Sequence, residues 1–285
     1  MASIARPPGR VERAIAEFGA DLAITDFEPI VPRAARRLGI PLVSVDHQHF
    51  LVSYDLGGLP LGLQLQAAAM GLAVRTYVRA AADTVVSAFY APPLRPGWEH
   101  VVQVGPLLRR AVLEAVPHDG RHVLSYLRRH TPARAIEALA ACGMPVRAYG
   151  LGAREPFGAI TFHDVDESRF AADLAGCTAV VAAGGNQLIG EAIHLGKPVL
   201  ALPESAHAEQ LMNGQFLRGM GCGDFVPIER IDAAAVHRFL AARDRHAMAL
   251  ASHAGRMDGA AEVVRVIERR LAIAGILPEA HGAAA

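Results

Sequence analysis

The sequence has few cysteines, a single lysine and no net charge, and each scarcity narrows what the protein can be. Its three cysteines are widely spaced and include no CxxC pair, a usage typical of a reducing compartment rather than of a disulfide framework. Lysine plus arginine equals aspartate plus glutamate at 28 each, with Lys197 the one lysine. A formal charge of zero carries no electrostatic sign of a nucleic-acid partner, so we expect none.

Long uninterrupted apolar runs are also missing. The first eighteen residues contain no apolar core of a signal peptide, and the longest apolar stretch, 51–74, is broken by Asp55, Gln64 and Gln66. We therefore expect a cytoplasmic protein without a membrane-spanning helix. The 51–74 stretch is most simply a core helix, but it also suits the wall of an apolar cleft or peripheral contact with the inner face of a membrane.

What the sequence does contain is a repeated strand-then-helix pattern. Apolar residues make up 52% of the chain. Short continuous apolar runs alternate with helical stripes in two successive sets, which predicts parallel sheets covered by helices. We predict an α/β protein with two Rossmann-like domains and a cleft between them. The predicted segments are an N-terminal domain at 1–112, a C-terminal domain at 113–255 and a last helical segment at 256–285 that returns to the N-terminal domain. The less regular stretch LLRRAVLEAVPHDGR, 107–121, is predicted to be a linker between the two sets of strands and helices.

One junction between a strand and a helix has distinctive chemistry. The run VVAAGGNQLIGEA, 180–192, places Gly184 and Gly185 between an apolar strand and a helix that opens at Asn186. Glycines let an anion approach the main chain closely, and the free N–H groups and positive dipole end of a helix favour a phosphate. Glu191 lies about a turn and a half into the helix, outside its expected buried stripe, where a carboxylate can accept hydrogen bonds from a sugar diol.

The next junction adds polar groups on the same side of the predicted sheet. After the strand PVLALP we expect Ser205 to cap a helix that includes Asn213 and whose first turn holds Glu209 and Gln210. A carboxylate beside an amide suits the hydroxyl groups of a hexose. Each of these residues taken alone is most simply an ordinary helix residue. Their joint spacing over two consecutive strand–helix units favours a binding site.

The region 182–223 resembles the nucleotide-sugar motif of GT-B glycosyltransferases, in the family 28 and UDP-glycosyltransferase superfamily. The resemblance implies that the glycine-rich turn binds the diphosphate, that the glutamate in the EA pair holds the ribose and that the acid–glutamine pair contacts the donor sugar. It assigns the nucleobase to the segment TFHDVDESRF. At Ala182 the chain departs from the many UDP-glycosyltransferases that have a phosphate-contacting histidine there. The implied donor-binding residues are Gly184, Gly185, Asn186, Gln187, Glu191, Glu209, Gln210, Phe162, His163 and Val165.

The N-terminal half resembles the later part of a GT-B acceptor domain. In such domains an aspartate at the end of one strand orients a catalytic histidine. Here the corresponding strand is the run DLAITDF, and Asp26 matches the position of the aspartate. The histidine normally comes from a glycine-rich loop after the first strand of the domain. That loop is absent from the sequence, so we expect an incomplete N-terminal domain without its opening strands.

The run DHQH follows the next predicted strand and contains Asp46, His47 and His49. The two histidines are, in order of preference, structural loop residues, catalytic or acceptor-binding groups that replace the absent histidine, or metal ligands. No third acidic or cysteine ligand stands at a convincing spacing, so no metal site is predicted. The candidate catalytic residues are Asp26, Asp46, His47 and His49.

The expected function combines both halves. We expect inverting transfer of a hexose-type sugar from a nucleoside-diphosphate donor, with UDP the favoured nucleotide, to a hydroxyl acceptor, without a metal or other cofactor. The apolar 51–74 stretch favours a lipid-linked or otherwise apolar acceptor. Two alternatives stay open: a degenerate nucleotide-sugar-binding protein or partner subunit without turnover, and a sugar-nucleotide 2-epimerase.

Overall fold

The computed structural model describes residues 8–77 and 81–277. Contacts within the chain divide it into two units, residues 1–104 with 259–285, and residues 105–258. Residues 105–112, which the sequence analysis assigned to the first domain, lie in the second unit. Of the segment 256–285, residues 278–285 lie outside the described residues.

The first unit contains a four-stranded parallel sheet. Its strands, in spatial order, are β1 (Ala23–Thr25), β2 (Leu42–Asp46), β3 (Asp83–Ser87) and β4 (Val102–Val104). The accompanying helices are α1 (Pro8–Phe18), α2 (Ile30–Leu38), α3 (Phe50–Ser53) and α4 (Leu61–Tyr77). Every residue of β2 is buried, as expected for an inner strand of a parallel sheet.

The second unit contains a six-stranded parallel sheet. Its strands are β5 (Val123–Tyr126), β6 (Val146–Tyr149), β7 (Ile160–Phe162), β8 (Ala179–Ala182), β9 (Val199–Ala201) and β10 (Gly223–Phe225). Their spatial order is β10-β9-β8-β5-β6-β7, so the direction of sheet building reverses between β5 and β8. In open α/β sheets, ligands bind beyond the carboxyl ends of the strands at such a reversal. The glycine-rich junction follows β8 and therefore lies at this position.

The helices of the second unit are α5 (Arg110–Leu113), α6 (Ala133–Ala140), α7 (Glu167–Ala175), α8 (Asn186–His194), α9 (Ala208–Gly219), α10 (Ala233–Ala241) and α11 (Ala247–His253). The last helix, α12 (Ala260–Ile273), is part of the first unit. Its Val263 and Val266 pack on Val43, Val45 and Val85 of the first sheet.

The predicted fold class is confirmed, because both sheets are parallel and each strand inferred from an apolar run is present. Strand β10 was not predicted, because its residues Gly-Asp-Phe do not form an apolar run. It also missed α5, which lies in the segment LLRRAVLEAVPHDGR that was assigned to a linker. Within the described residues, no helix is long and apolar enough to cross a membrane.

The 51–74 stretch differs from the core helix that was its simplest interpretation. It divides into the buried helix α3 and the longer helix α4. On α4, Leu61, Leu65 and Leu72 are 70%, 64% and 68% exposed. Since the three leucines are separated by four and seven residues, they share one face of the helix. This stretch therefore presents an exposed apolar surface.

Candidate functional site

The loop between β8 and α8 is the first part of the candidate site, and its two glycines have different surroundings. Gly185 precedes α8 with an extended backbone (φ −79°, ψ 137°) and offers no side chain to cap the helix. A Cβ at Gly184 would lie 2.9 Å from the carbonyl oxygen of Gln210, whereas a Cβ at Gly185 would meet nothing within 4 Å. Packing inside the protein therefore requires Gly184, while Gly185 leaves open space at the start of the helix.

Side chains of α9 support this loop. Asn213 is fully buried and donates from Nδ2 to the carbonyl oxygen of Gly184 at 2.9 Å. The buried Gln210 accepts from Glu204 N at 3.0 Å through Oε1, while its Nε2 is buried and has no acceptor among the described residues. A buried amide without an acceptor is costly, so this group suits a ligand oxygen. The only asparagines of the sequence, Asn186 and Asn213, belong to this loop and its support.

α9 is capped by His207 and not by Ser205, so the predicted cap was wrong. His207 Nδ1 accepts from Gln210 N at 3.4 Å. Ser205 donates from Oγ to Glu229 at 2.6 Å instead, because a carboxylate 24 residues away reaches it. Glu209 lies half-buried in the first turn of α9, the position that the sequence indicated.

Glu191 is not on the solvent side of α8, contrary to the sequence-based expectation. Its side chain is 1% exposed, and Arg109 binds both carboxylate oxygens, Nε to Oε1 at 2.9 Å and Nη2 to Oε2 at 2.7 Å. Gln187 donates from Nε2 to Glu191 Oε1 at 3.1 Å and to the carbonyl oxygen of Leu107 at 2.9 Å. The hydrogen bonds with Glu191 raise the pKa of Arg109.

Arg109 is the residue of this region that the sequence analysis missed. It lies in the segment assigned to a linker, 82 residues before Glu191. Its guanidinium also lies over Phe170, with Cζ 5.1 Å from the centre of the ring. A glutamate within an apolar helix is a signal that a cation is needed, since a buried charge must be paired. The sequence does not identify which arginine supplies it.

The candidate nucleobase segment leaves the sheet at β7, with β5 and β6 between it and β8. Phe162 belongs to the hydrophobic core, and Arg154 Cζ lies 3.9 Å from the centre of its ring. His163 is half-buried, its ring centre is 5.3 Å from that of Tyr149, and burial lowers its pKa. Val165 is 59% exposed. A ligand can therefore reach the side chains of His163 and Val165 more readily than that of Phe162.

In the first unit, the carboxyl ends of β1 and β2 bring Asp26 within electrostatic reach of Asp46. Asp26 is exposed but loses part of its hydration to the surrounding protein. This partial desolvation and, after it, the charge of Asp46 raise the pKa of Asp26. Asp46 is buried and accepts hydrogen bonds from Ser44 Oγ at 2.6 Å, His49 N at 2.9 Å and His49 Nδ1 at 2.7 Å. Asp46 thereby fixes the ring of His49, which with Trp98 lines a pocket of about 430 Å³.

His47 is held by neighbouring structure. Its Nδ1 lies 3.0 Å from the carbonyl oxygen of Ser87, and its ring centre lies 4.8 Å from that of Phe50. His47 therefore contacts both the main chain and an aromatic ring of its surroundings. Within residues 8–77 and 81–277, no cluster of three or more histidine, cysteine or acidic side chains could hold a metal ion.

The first turn of α2, the helix that follows β1, is capped by a side chain of the preceding loop. Glu28 accepts from Ile30 N at 2.8 Å through Oε2 and from Val31 N at 2.7 Å through Oε1. A carboxylate thus satisfies the first turn of α2. The N-cap residue of α8 is Gly185, which has no side chain to take this place, so α8 is the better candidate anion site of the two.

Comparison with known proteins supplies the family. The model of glycosyl transferase family 1 matches residues 2–243. An uncharacterized glycosyltransferase of Methanosarcina mazei is 24% identical over 242 residues, which cover 75% of this chain and 62% of that protein. The chain therefore spans less than two thirds of the length of this relative.

Solved glycosyltransferases share the fold. The spinosyn rhamnosyltransferase SpnG has a TM-score of 0.61 at 18% identity, covering 92% of this chain and 76% of that one. SsfS6 of Streptomyces sp. SF2575, complexed with thymidine diphosphate, has a TM-score of 0.58 at 19% identity, covering 92% and 72%. These structures confirm the predicted GT-B resemblance. Because the family model covers well over half of the chain, the protein belongs to glycosyl transferase family 1.

Proposed function

We propose that the protein transfers a sugar from a pyrimidine nucleoside diphosphate, UDP or TDP, to a hydroxyl acceptor. UDP is the nucleotide that the motif favours, and TDP is the nucleotide bound in the related SsfS6 structure. The observation that carries the proposal is the N-terminus of α8, whose N-cap residue has no side chain. There Gly185 leaves open space, and Gln210, whose buried amide lacks an acceptor, packs against Gly184.

The donor half of the proposal uses the main chain of the loop. The N–H groups of the first turn of α8 have no carbonyl partner within the helix, and the helix dipole places partial positive charge there. The diphosphate leaves with increasing negative charge as the glycosidic bond breaks, and fixed donors stabilise it without reorganisation. We assign the stabilisation of this negative charge to the helix N-terminus rather than to a metal ion. Glu209 and Gln210 would bind the hydroxyl groups of the sugar.

The acceptor half of the proposal uses a base in the first unit. We assign this role to His49, because the buried carboxylate of Asp46 binds Nδ1 and leaves Nε2 to take a proton from the acceptor. Asp26 is the second candidate, since it is exposed and its pKa is raised by partial burial and by Asp46. His49→Ala should abolish turnover and preserve UDP binding. If turnover survives, the same measurement on Asp26→Asn decides between the two residues.

We assign an apolar acceptor, such as a lipid-linked alcohol, on the basis of α4. Its 17 residues include a single charged side chain, Arg75, and its exposed leucines at 61, 65 and 72 form one stripe. Such a surface is typical of contact with lipid or with a partner. Co-sedimentation with phospholipid vesicles should therefore be weakened by Leu65→Glu, with the exposed Glu17→Gln on α1 as the surface control.

The central experiment separates an enzyme from a binding protein. Calorimetry should detect binding of UDP or TDP, and a mixture of UDP- and TDP-sugars with polyprenol-type acceptors should release free nucleotide. EDTA should leave the release rate unchanged if the helix N-terminus carries the charge. Binding without acceptor-dependent release would favour the binding protein, and no binding of either nucleotide would contradict the proposal.

A further inference from the structure

In the ion pair of Arg109 and Glu191, the guanidinium is partly exposed to solvent and the carboxylate is buried. The side chain of Arg109 is 36% exposed and that of Glu191 is 1% exposed, and the guanidinium occupies both carboxylate oxygens. A ribose hydroxyl has no route to Glu191 in this arrangement. If Arg109 moved away, it would leave a buried carboxylate without its cation, which is strongly unfavourable.

The segment that carries Arg109 is fixed along α8. A Cβ at Gly190 would lie 2.4 Å from Pro106 Cγ, and the carbonyl oxygen of Leu107 accepts from Gln187. The segment therefore runs in close contact with the first two turns of α8. Glu191 is five residues from the start of the helix, a rise of about 7.5 Å. The contact of Arg109 with Glu191 thus lies about a turn and a half along α8 from the N-terminus that forms the candidate diphosphate site.

The neighbours of Arg109 place it at the reversal of strand order. Its guanidinium lies over Phe170 of α7, and it interacts electrostatically with Tyr126, the last residue of β5, and with Glu167, the first residue of α7. Glu191 takes hydrogen bonds from Nε and Nη2. The Nη1 donors have no acceptor among the described residues, so they are available to a ligand.

We propose that Arg109 binds the diphosphate of the donor and that Glu191 is the positioning residue for Arg109 rather than a direct ligand of the ribose. This inference rests on the proposed donor site. A guanidinium presents planar pairs of donors that match phosphate oxygens. Since Glu191 already fixes the side chain, binding costs less conformational entropy than it would with a free arginine.

Three variants test this assignment. Arg109→Lys keeps the charge and loses the planar fork. Glu191→Gln keeps the shape and loses the charge that holds Arg109. The double variant Arg109→Gln with Glu191→Gln removes both charges, so that no buried carboxylate is left unpaired. Affinities for UDP and for uridine are measured by competition against a fluorescent UDP analogue, and thermal unfolding confirms that each variant is folded.

We expect the affinity for UDP to fall and the affinity for uridine to stay nearly unchanged, because Arg109 would contact only the phosphates. The double variant should bind UDP about 10- to 100-fold more weakly, the size expected for charged hydrogen bonds, and bind uridine within about twofold of the original protein. Arg109→Lys and Glu191→Gln should each show a smaller loss with the same selectivity for UDP. If the double variant does not fold, the test is made with the two single variants, by comparing their loss of UDP affinity with their loss of uridine affinity.

The neighbouring pair Arg110 and Glu114 provides the matched control. It lies one residue further along, its side chains are 89% and 62% exposed, and it has the same composition. The double variant Arg110→Gln with Glu114→Gln should change neither affinity, because exposed pairs contribute little.

Other outcomes overturn the inference in distinguishable ways. Equal weakening of UDP and uridine by Glu191→Gln, with Arg109→Lys unaffected, would mean that Glu191 contacts the ribose directly. Unchanged affinity for UDP in all three variants would remove Arg109 from the site while the proposed function stands. Failure of the unaltered protein to bind UDP or TDP would instead contradict the proposed function itself.

Discussion

Two strand-to-helix turns of this molecule, one after the edge strand β1 and one after the inner strand β8, are built in opposite ways. The turn from β1 to α2 contains Glu28, whose carboxylate accepts the N–H groups of Ile30 and Val31. The turn from β8 to α8 contains Gly184 and Gly185, and its N-cap residue Gly185 offers no capping side chain. One helix N-terminus is closed by an anion of its own loop, and the other is left for an anion from outside.

The open turn, from β8 to α8, differs from three other helix starts of its own unit. Asp166 caps α7, His207 caps α9 and Asp232 caps α10, each through a side chain that accepts from the third residue along. The N-cap residues of α5, α6 and α11 make no side-chain capping bond either. What distinguishes α8 is an N-cap glycine whose Cβ position meets nothing within 4 Å, which leaves room for a phosphate.

The largest expected effect comes from closing the open turn. Gly185→Asp places a carboxylate at the N-cap of α8, where the extended backbone accepts any residue. We expect the unfolding free energy to rise by a few tenths of a kcal/mol. UDP affinity should fall about 100-fold, because the new carboxylate occupies the N–H groups and repels the diphosphate. Calorimetry and urea unfolding measure the two quantities.

Gly185→Asn is the control for that substitution. Asparagine caps a helix about as well as aspartate but carries no charge. Its loss of UDP affinity should therefore be clearly smaller than that of Gly185→Asp. If both variants bind UDP as the original protein does, the diphosphate does not lie at the start of α8.

The second effect compares the two glycines of the open turn. Gly184→Val would drive its Cβ to 2.9 Å from the carbonyl oxygen of Gln210, and we expect a loss of about 3 kcal/mol in unfolding free energy. Gly185→Ala meets nothing within 4 Å and should change stability by less than about 0.5 kcal/mol. Equal losses in urea unfolding would show that both glycines are packing residues, and the distinction between them would fail.

The two turns also show how far the sequence could predict the site. Runs of apolar residues between turn signals were enough to predict the parallel sheets, and the GGN run was enough to predict the open turn, because these features depend on neighbours in the chain. The burial of Glu191 was not predictable in this way, since its cation comes from a segment 82 residues earlier. The cap of α9 was misassigned for the same reason, because Glu229, 24 residues away, binds Ser205.

The third-largest expected effect comes from removing the carboxylate that caps α2. Glu28→Ala leaves the N–H groups of Ile30 and Val31 to water, and we expect about 1 kcal/mol less unfolding free energy. UDP affinity should stay unchanged, since α2 is not the proposed donor site. Glu28→Gln, which keeps an acceptor oxygen and loses the charge, should show a smaller loss. A fall in UDP affinity with Glu28→Ala would contradict the assignment of the donor to α8.

The smallest effect concerns the acidic residues at the end of β1 and β2. Partial burial and the charge of Asp46 raise the pKa of Asp26 above its ordinary value of 3.8, so the folded state binds the proton of Asp26 more readily than the unfolded state. The stability that this group contributes is present below about pH 3.8 and is lost as the pH rises through the raised pKa. Asp26→Asn should therefore be slightly more stable than the original protein at pH 7, with the difference shrinking as the pH is lowered.

Urea unfolding at a series of pH values between 7 and the acid limit of folding checks this pH dependence. Asp21→Asn, which removes an exposed carboxylate two residues before β1, is the control for losing a surface charge. A constant difference between Asp26→Asn and the original protein at every pH would show that Asp46 and burial do not act on Asp26. That result would also weaken Asp26 as a base, because a carboxylate with an ordinary pKa is a poor acceptor for the proton of an alcohol near neutral pH.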